Sequence, residues 1–236
     1  MAVLLLAQGD ATSKDLLRYA IEVRYGLRPP AFDHVKIDFH GKVKTKLGPI
    51  QTWFPLEANG YFRFPDVMEW KFIAKPLRFP IHQGIETYNG ATYEVAHGEK
   101  TVVYTDGDEF EAARKQLWAI AALLLTPLSD IHVRLEPLGE HSFRAVNTEF
   151  NEHVDVYLRP NGTIEKVFIP VCYNVDSGKV QSCTFELSEE QILLNEMAIP
   201  AQLAIVWDQD DPNYVLTPQE INLNPVEYEE KFPRIG

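Results

Sequence analysis

The chain has 236 residues, of which 45% are hydrophobic and 11% aromatic, and its formal net charge is −12 with a pI near 5.0. A chain of this length and apolar content buries a sizeable core, so the composition excludes a disordered protein and fits a single domain over residues 1–236. The acidic balance argues against nucleic acid and anionic membrane surfaces as partners, because both attract basic surfaces.

The N-terminal segment contains a short apolar run at residues 2–6 with no basic residue before it. A secretory signal needs about 7–15 apolar residues after a positive charge, and a membrane span needs about 20. The longest apolar run, residues 117–125, is far shorter than such a span. We therefore expect a cytoplasmic protein that does not insert into a membrane. A trimmed, mature exported form is the alternative, since it would show the same pattern.

The first predicted element is a helix over residues 12–26, capped by Thr12 or Ser13 and ended by Gly26. From residue 35 to residue 104, apolar side chains instead alternate with polar ones. This period of two predicts a series of about five half-buried strands.

One hairpin in this region carries an unusual number of polar residues. The stretch FPIHQGIETYNGATYEVAHGE, residues 79–99, has an Asn-Gly pair at its centre, which is typical of a two-residue hairpin loop. Pairing about that loop sets His82 opposite His97 and Glu86 opposite Tyr93. Because side chains alternate across a strand, these four residues are predicted to share one face.

A long helix over residues 106–125 then interrupts the strands, with Asp106 or Asp108 as its cap and Pro127 just beyond its end. Its C-terminal half is apolar on almost every side, which predicts a buried helix lying across a sheet. Short alternating segments separated by turn residues predict about six further strands after this helix.

Turn residues in the second half predict two hairpin registers. The Asn-Gly pair at residues 161–162 sets Val156 opposite Val167. A two-residue loop in the next hairpin sets Cys172 opposite Cys183. We expect two packed thiols, with a disulfide as the alternative, because directly opposed strand residues at a Cα separation of about 4.5 Å suit such a bridge.

This order of elements predicts an α+β fold. One large curved antiparallel sheet, a half-barrel, would wrap around the buried long helix that carries Trp118, with the N-terminal helix in addition. A closed lipocalin-like barrel is the alternative. In both architectures the apolar interior is large enough to admit a ligand.

The polar face of the hairpin is the strongest candidate for chemistry. Burial raises the pKa of a carboxylic acid and lowers that of a histidine, so Glu86 or His82 in an apolar cavity is predicted to act as a base near neutral pH. Tyr93 and His97 would then donate protons or hydrogen bonds to a developing oxyanion. The alternative is that this face meets solvent and the opposite face of the hairpin points inward.

Further residues are predicted to bind the substrate because they combine aromatic or polar side chains with elements that border the interior. They are Trp53, Glu57, Trp70, Trp118 and His40. The structural alternative is that the tryptophans are core residues and that the two polar residues face solvent.

Standard catalytic and cofactor motifs are absent from the sequence, which has no Walker A loop, no dinucleotide-binding GxGxxG, no GxSxG, no HExxH and no CxxC. We therefore expect no cofactor and no metal. A metal held by His82, Glu86 and His97 is a minor alternative, because two histidines and a carboxylate form an ordinary ligand set.

Several residues follow the order of a known pattern: a strand ending in glycine, a Trp-Phe pair, a small residue in the following strand, and a P-x-F-x-W-x-A-like segment. The counterparts here are Gly41, Trp53, Phe54, Ala58, Pro65, Trp70 and Ala74. With the YNG turn, the helix bearing Trp118 and the segment IPAQLAIVW, most of the chain resembles an uncharacterised family of bacterial domains of unknown function.

That family is similar in architecture to the lipoprotein-sorting (Lol-type) half-barrels, which hold acyl chains in an apolar concavity. The resemblance implies a fold and a cavity, and it implies no catalytic residue. This chain departs from the family pattern after Trp118, where the proline comes only at Pro127. The resemblance therefore does not predict the residue at which the long helix ends.

These observations together predict a half-barrel that encloses a hydrophobic or aromatic small molecule. The first hypothesis is a cofactor-independent acid–base enzyme, of the cyclase, isomerase or decarboxylase type, that acts on a biosynthetic intermediate. The alternative hypothesis is a non-catalytic carrier or sensor of a lipid or pigment.

Overall fold

The computed structural model describes residues 6–47, 50–74, 82–175, 177–208 and 210–232. Its helical elements are α1 (Ala11–Tyr25), α2 (Gly107–Leu124), a 3-10 turn (Thr126–Ser129) and α3 (Val226–Lys231). Its strands are β1 (Gln8–Gly9), β2 (His34–Leu47), β3 (Ile50–Arg63), β4 (Val67–Ala74), β5 (His82–Tyr88), β6 (Tyr93–His97), β7 (Lys100–Tyr104), β8 (Val133–Gly139), β9 (Ser142–Asn147), β10 (Glu152–Leu158), β11 (Ile164–Asn174), β12 (Lys179–Leu187), β13 (Gln191–Leu194), β14 (Met197–Pro200), β15 (Leu203–Trp207) and β16 (Tyr214–Leu223).

Fourteen strands form one sheet in the order β1-β8-β9-β10-β11-β12-β15-β16-β2-β3-β4-β5-β6-β7, and β13 and β14 form a separate hairpin. Neighbouring strands are antiparallel except β1 and β8, which run parallel. The sheet is open, because β1 and β7 lie at opposite edges and do not pair with one another. The predicted α+β half-barrel is confirmed, and the closed barrel is wrong.

The C-terminal strand β16 joins the two halves of this sheet. It pairs with β15 on one side and with β2, the first long strand of the chain, on the other. The sequence predicts one or two closing strands in this segment but does not indicate where they insert. Pairing between the two ends of a chain depends on tertiary contacts, which local alternation does not encode.

Helix α2 lies on the concave face of the sheet, where it packs against β10 and β11 and reaches β5, β6 and β7. The indole Nε1 of Trp118 donates to the carbonyl oxygen of Ala145 at 3.1 Å, and the ring of Phe110 lies 5.3 Å from that of Tyr88. The helix is thus fixed to both halves of the sheet, and the predicted buried helix is confirmed.

Helix α1 supports the C-terminal end of α2. The Arg24 guanidinium donates to the carbonyl oxygen of Leu123, and the Tyr25 hydroxyl donates to that of Leu124 at 2.6 Å. The last carbonyl groups of a helix have no partner within the helix and carry partial negative charge, so a buried cation and a hydroxyl stabilise them. Burial lowers the pKa of Arg24 below its usual value.

At the ends of α1, the predicted N-terminal cap is wrong and the predicted C-terminal residue is confirmed. Asp10 caps α1, since its carboxylate accepts the backbone N–H of Ser13 at 2.8 Å, and Thr12 lies inside the helix. Gly26 ends α1 with a φ of 73°, in the left-handed region that glycine adopts without strain. At α2, Asp106 occupies the cap position but makes no side-chain hydrogen bond there.

The convex face of the sheet is covered in part by α3. The ring of Tyr61 on β3 stacks on that of Tyr228 with 4.0 Å between centroids, and on that of Phe232 with 5.6 Å. These residues form an apolar cluster of their own, apart from the main core. The sheet therefore buries side chains on both faces in this region.

The predicted register of the β5–β6 hairpin is wrong by two residues. The Asn89 side-chain oxygen accepts the backbone N–H groups of Ala91 and Thr92 at 3.0 and 2.8 Å, so the loop takes four residues and Tyr88 pairs with Tyr93. An asparagine that bonds to its own turn in this way competes with the two-residue geometry. A shift of two residues keeps every side chain on its predicted face.

The predicted pairing of the two cysteines fails for a related reason. The Asn174 side chain accepts the N–H of Ser177 at 3.2 Å and Asn174 pairs with Lys179, so Cys172 lies opposite Gln181. An irregularity between Ile169 and Cys172 then sets Cys183 opposite Ile169. Cys183 lies further along β12, and both cysteines are free and buried, as expected, so the disulfide alternative is wrong. Burial raises the pKa of Cys172 to about 12.

The third predicted register is confirmed, since Val156 pairs with Val167 across β10 and β11.

Candidate functional site

A cleft of about 800 Å³ opens beside the C-terminal end of α2. Its walls come from the segment between α1 and β2, the turn between β3 and β4, the 3-10 turn after α2, and the adjoining ends of β8 and β9. Aromatic rings of Phe32, Phe64 and Trp118 contribute to its lining, together with several prolines. The cleft is thus formed where strands and helices end.

Local chemistry explains the apolar part of the lining. Trp118 lies on the buried side of α2, and its only polar atom is bonded to the Ala145 carbonyl, so the rest of the ring acts as an apolar surface. Pro29 and Pro30 precede Phe32, and proline cannot continue a helix or donate to a strand. The segment after α1 therefore crosses the end of the half-barrel without regular structure and brings Phe32 to the cleft.

The turn between β3 and β4 is held by an ion pair. The Arg63 guanidinium bonds to both carboxylate oxygens of Asp66, at 3.1 and 2.9 Å, and also donates to the Phe232 carbonyl oxygen at 2.6 Å. The hydrogen bond to Asp66 raises the pKa of Arg63. This pair fixes Phe64 in the cleft wall and leaves Arg63 with its charge balanced.

The mouth of the cleft is acidic. Asp130 and Glu149 are exposed on the lining, and the Glu149 carboxylate lies 3.5 Å from Nδ1 of His132. Arg63 is the single Lys or Arg among the lining residues that the structure describes, and Asp66 binds it. A cleft with this charge distribution disfavours an anionic ligand.

Two of the predicted catalytic residues are in contact. The Tyr93 hydroxyl donates to Oε2 of Glu86 at 2.9 Å, and both side chains lie on the concave face, beside Trp70 of β4. The opposite side of the hairpin carries Ile85, which is 42% exposed. The polar face of the hairpin is therefore the one that points toward α2, although the cross-strand neighbour of Glu86 is Val95 and not Tyr93.

The two predicted histidines are placed less favourably. His97 is exposed, and its ring lies close to Gly84. A Cβ atom added at Gly84 would lie 2.8 Å from two atoms of the His97 ring. His82 pairs with Ala74 through its backbone, but its side chain lies outside the described residues. The predicted opposition of His82 and His97 is wrong, for the same two-residue shift of the loop.

Three predicted binding residues lie on the convex face of the sheet. The Lys42 ammonium lies 4.8 Å from the centroid of the half-buried Trp53 ring. His40 and Glu57 are directly opposed across β2 and β3, and both are exposed. The structure does not bring these residues together with Trp70 or with the cleft.

Among predicted site residues with described side chains, Trp118 lines the cleft and the others do not. Phe32, Phe64 and Asn147 were not identified from the sequence. The available signal was weak, since each lies beside a proline or a turn where one element ends.

No helix in the described ranges has both the length and the apolar character needed to span a membrane. Nor does the described part of the chain bring three or more His, Cys, Asp or Glu side chains close enough to hold a metal ion.

No protein-family model matches the sequence. No curated protein matches it either.

Solved structures do match the fold. A DUF1329 family protein from Desulfovibrio piger superposes with a TM-score of 0.51 at 8% identity, over 97% of this chain and 98% of that one. A LolA superfamily protein from Nitrosomonas europaea gives a TM-score of 0.48 at 12% identity, over 95% and 99% of the two chains. A putative outer membrane lipoprotein-sorting protein domain from Vibrio parahaemolyticus gives 0.49 at 12% identity, over 94% and 97%.

At these identities the matches show the fold alone, and the match to the DUF1329 family protein agrees with the half-barrel that the sequence resemblance implied. The predicted cytoplasmic location is corrected by this comparison, because the similar structures include a protein described as a putative outer membrane lipoprotein-sorting domain.

Proposed function

We propose that this protein is a non-catalytic carrier of a lipid-like hydrophobic molecule, which it holds in the cleft beside α2. The cleft itself is the observation that carries the proposal: about 800 Å³, lined by Phe32, Phe64 and Trp118. Small-molecule sites are usually clefts of about 300–1,000 Å³ with mostly apolar walls and few polar groups. A periplasmic location fits this function.

The fold supports a carrier, because a Lol-type half-barrel leaves a concavity between an open sheet and the helix that crosses it. The open edge of the sheet also matters. A closed barrel restricts entry to its mouth, whereas a cleft between separate elements admits a chain molecule from the side. Uptake and release of an uncharged, flexible ligand need no further chemical group.

The hairpin residues support catalysis less well. The Tyr93 hydroxyl is already bonded to Glu86, and His97 is exposed. None of these three side chains lines the cleft. The cyclase, isomerase or decarboxylase activity therefore stays a prediction from the sequence, and the carrier function is the one we develop.

We test ligand binding with a substitution that fills part of the cleft and leaves the buried core residues unchanged. Ala31 is an exposed residue of the lining, and Ala91 is an exposed residue of the β5–β6 loop that does not line the cleft. We expect Ala31→Trp to weaken binding of a fluorescent fatty-acyl probe by about tenfold, because the new ring occupies the apolar volume. Ala91→Trp, the matched control, should bind like the unmodified protein.

The readouts are probe fluorescence and mass spectrometry of lipid extracted from the purified protein. Equal binding by the unmodified protein and Ala31→Trp would show that the ligand lies elsewhere. Failure of the unmodified protein to bind any acyl probe or to retain any lipid would rule out the carrier function.

A further inference from the structure

Asn147 is a lining residue of the cleft whose side-chain N–H group has no protein acceptor among the described residues. It is the last residue of β9, is 4% exposed, and forms part of the lining beside Trp118. Its side-chain oxygen accepts the backbone N–H groups of Glu149 and Phe150, at 3.0 and 3.4 Å. No protein acceptor bonds to its amide nitrogen Nδ2 within the described ranges.

The assignment of the two amide atoms is fixed by these bonds. Oxygen and nitrogen of an asparagine are usually assigned from the hydrogen-bond network. Here two backbone N–H groups point at one atom, and an amide nitrogen cannot accept them. That atom is therefore the oxygen, and Nδ2 is the donor left over.

A donor in this position favours a particular ligand. Buried polar groups are nearly always hydrogen-bonded, and an unpaired one costs free energy comparable to its desolvation. A purely hydrocarbon ligand would displace solvent from Nδ2 and leave it unpaired. A ligand that places a hydrogen-bond acceptor next to Nδ2 would accept its hydrogen bond.

We propose that Asn147 selects ligands in which a hydrocarbon chain carries an ester or amide carbonyl. The inference rests on the proposed carrier function and adds the chemistry that the cleft recognises. The carbonyl oxygen accepts a hydrogen bond from Nδ2 of Asn147, and the chain packs against the aromatic lining residues Phe32, Phe64 and Trp118.

The charges of the lining argue for a neutral acceptor over a carboxylate. Arg63 is bound by both oxygens of Asp66, so it is not available to an anion. Asp130 and Glu149 at the mouth repel one. A free fatty acid satisfies Nδ2 but meets this repulsion, whereas an ester or amide does not.

The substitution Asn147→Asp removes the donor and adds a negative charge, and the comparison of an ester with an ether isolates the donor because both probes are neutral. A carboxylate still accepts the N–H groups of Glu149 and Phe150, so the turn after β9 is retained, but it donates nothing. Asn89→Asp is a matched control, because Asn89 accepts two backbone N–H groups at the same spacing in the exposed β5–β6 loop. Thermal unfolding of both variants checks that the fold is kept.

The probes are methyl laurate, N-methyl lauramide, dodecyl methyl ether and laurate, each competing with a bound fluorescent acyl probe. The unmodified protein and Asn89→Asp should bind the ester and the amide about three- to tenfold more tightly than the ether, the range expected for one neutral hydrogen bond. In Asn147→Asp this ratio should fall to about one. Laurate should bind more weakly than the ester.

Equal binding of ester and ether by the unmodified protein would overturn the inference and leave the carrier function standing. So would an unchanged ratio in Asn147→Asp, or a preference for laurate over the ester. Should Asn147→Asp fail to fold, the ester-to-ether ratio of the unmodified protein still decides. If none of the probes binds, the carrier function fails together with the inference.

Discussion

Each face of the sheet carries a glutamate with a hydrogen-bonding partner, but the two residues differ in burial. On the concave face, Glu86 is half-buried and accepts a hydrogen bond from Tyr93. On the convex face, Glu69 is 3% exposed and pairs with Lys71 and with Lys231 of α3. Alternation along a strand assigns a residue to a face, but the element that covers the face decides whether the residue is buried.

The same contrast applies to tryptophan. Trp118 on the concave side is 6% exposed and bonded to Ala145, whereas Trp53 on the convex side is half-buried beneath Lys42. Both residues were predicted to line a cavity, and one of them does so. Substitutions at Trp118, Glu69 and Glu86 measure how far the two faces differ, with Trp53 and Glu94 as comparison positions.

The largest effect is expected at Trp118. Trp118→Ala removes a buried ring and its hydrogen bond to the Ala145 carbonyl, so it should lower the free energy of unfolding by about 3–5 kcal/mol and abolish binding of acyl probes. Trp53→Ala should cost less than about 1 kcal/mol and leave binding unchanged. Urea denaturation gives both values.

If Trp118→Ala does not fold, Trp118→Phe keeps a ring and removes the N–H group, at an expected cost of about 1–2 kcal/mol. If the substitutions at Trp118 and Trp53 lowered the free energy of unfolding by the same amount, this would contradict the difference between the two faces.

An intermediate effect is expected at Glu69. Glu69→Gln leaves Lys71 and Lys231 without their carboxylate and should lower the free energy of unfolding by about 2 kcal/mol, less than for a fully buried pair because both lysines are partly exposed. Glu94→Gln, exposed on the same face, should change it by less than about 0.5 kcal/mol. Near-identical unfolding curves for the two variants would argue against a stabilising role for α3.

The Glu69 effect should also depend on pH. Burial by itself raises the pKa of Glu69, but hydrogen bonds from Lys231 and Lys71 outweigh it, and the pKa lies below its usual value. A carboxyl group whose pKa is lowered by folding contributes stability above its unfolded pKa, about 4, and loses it as the pH falls through the folded value. The difference between the unmodified protein and Glu69→Gln should therefore be constant near neutral pH and shrink in acid.

The smallest effect is expected at Glu86. Glu86→Gln keeps an oxygen that accepts the Tyr93 hydroxyl, so the free energy of unfolding should change by less than about 1 kcal/mol. For a carrier, acyl-probe affinity should also stay the same, because this side chain does not line the cleft. If Glu86→Gln bound the ligand with unchanged affinity but no longer converted it to product, the result would instead support the acid–base enzyme predicted from the sequence.

Local sequence signals located the turns but not their length. The Asn-Gly pairs mark the loops after β5 and β10, yet Asn89 bonds to two N–H groups of its own loop and lengthens it. Beside the loop after β10 the pairing shifts between Tyr157 and Leu158, so that Leu158 pairs with Ile164, and further from the loop Val156 keeps its predicted partner Val167. Side-chain hydrogen bonds of this kind compete with the standard turn at similar energy, so residue type alone does not decide between them.

The sequence by itself determined the α+β class, the buried helix with Trp118 and the fact that Glu86 and Tyr93 share one face, because periods of 2 and 3.6 residues are local properties of the chain, but it did not determine whether that face points inward. Only the tertiary structure decided the insertion of β16 beside β2, the cover that α3 places over Glu69, and the cleft with Asn147 in its wall. These features join segments distant in sequence, and their energies depend on which surfaces meet rather than on the pattern within any one segment.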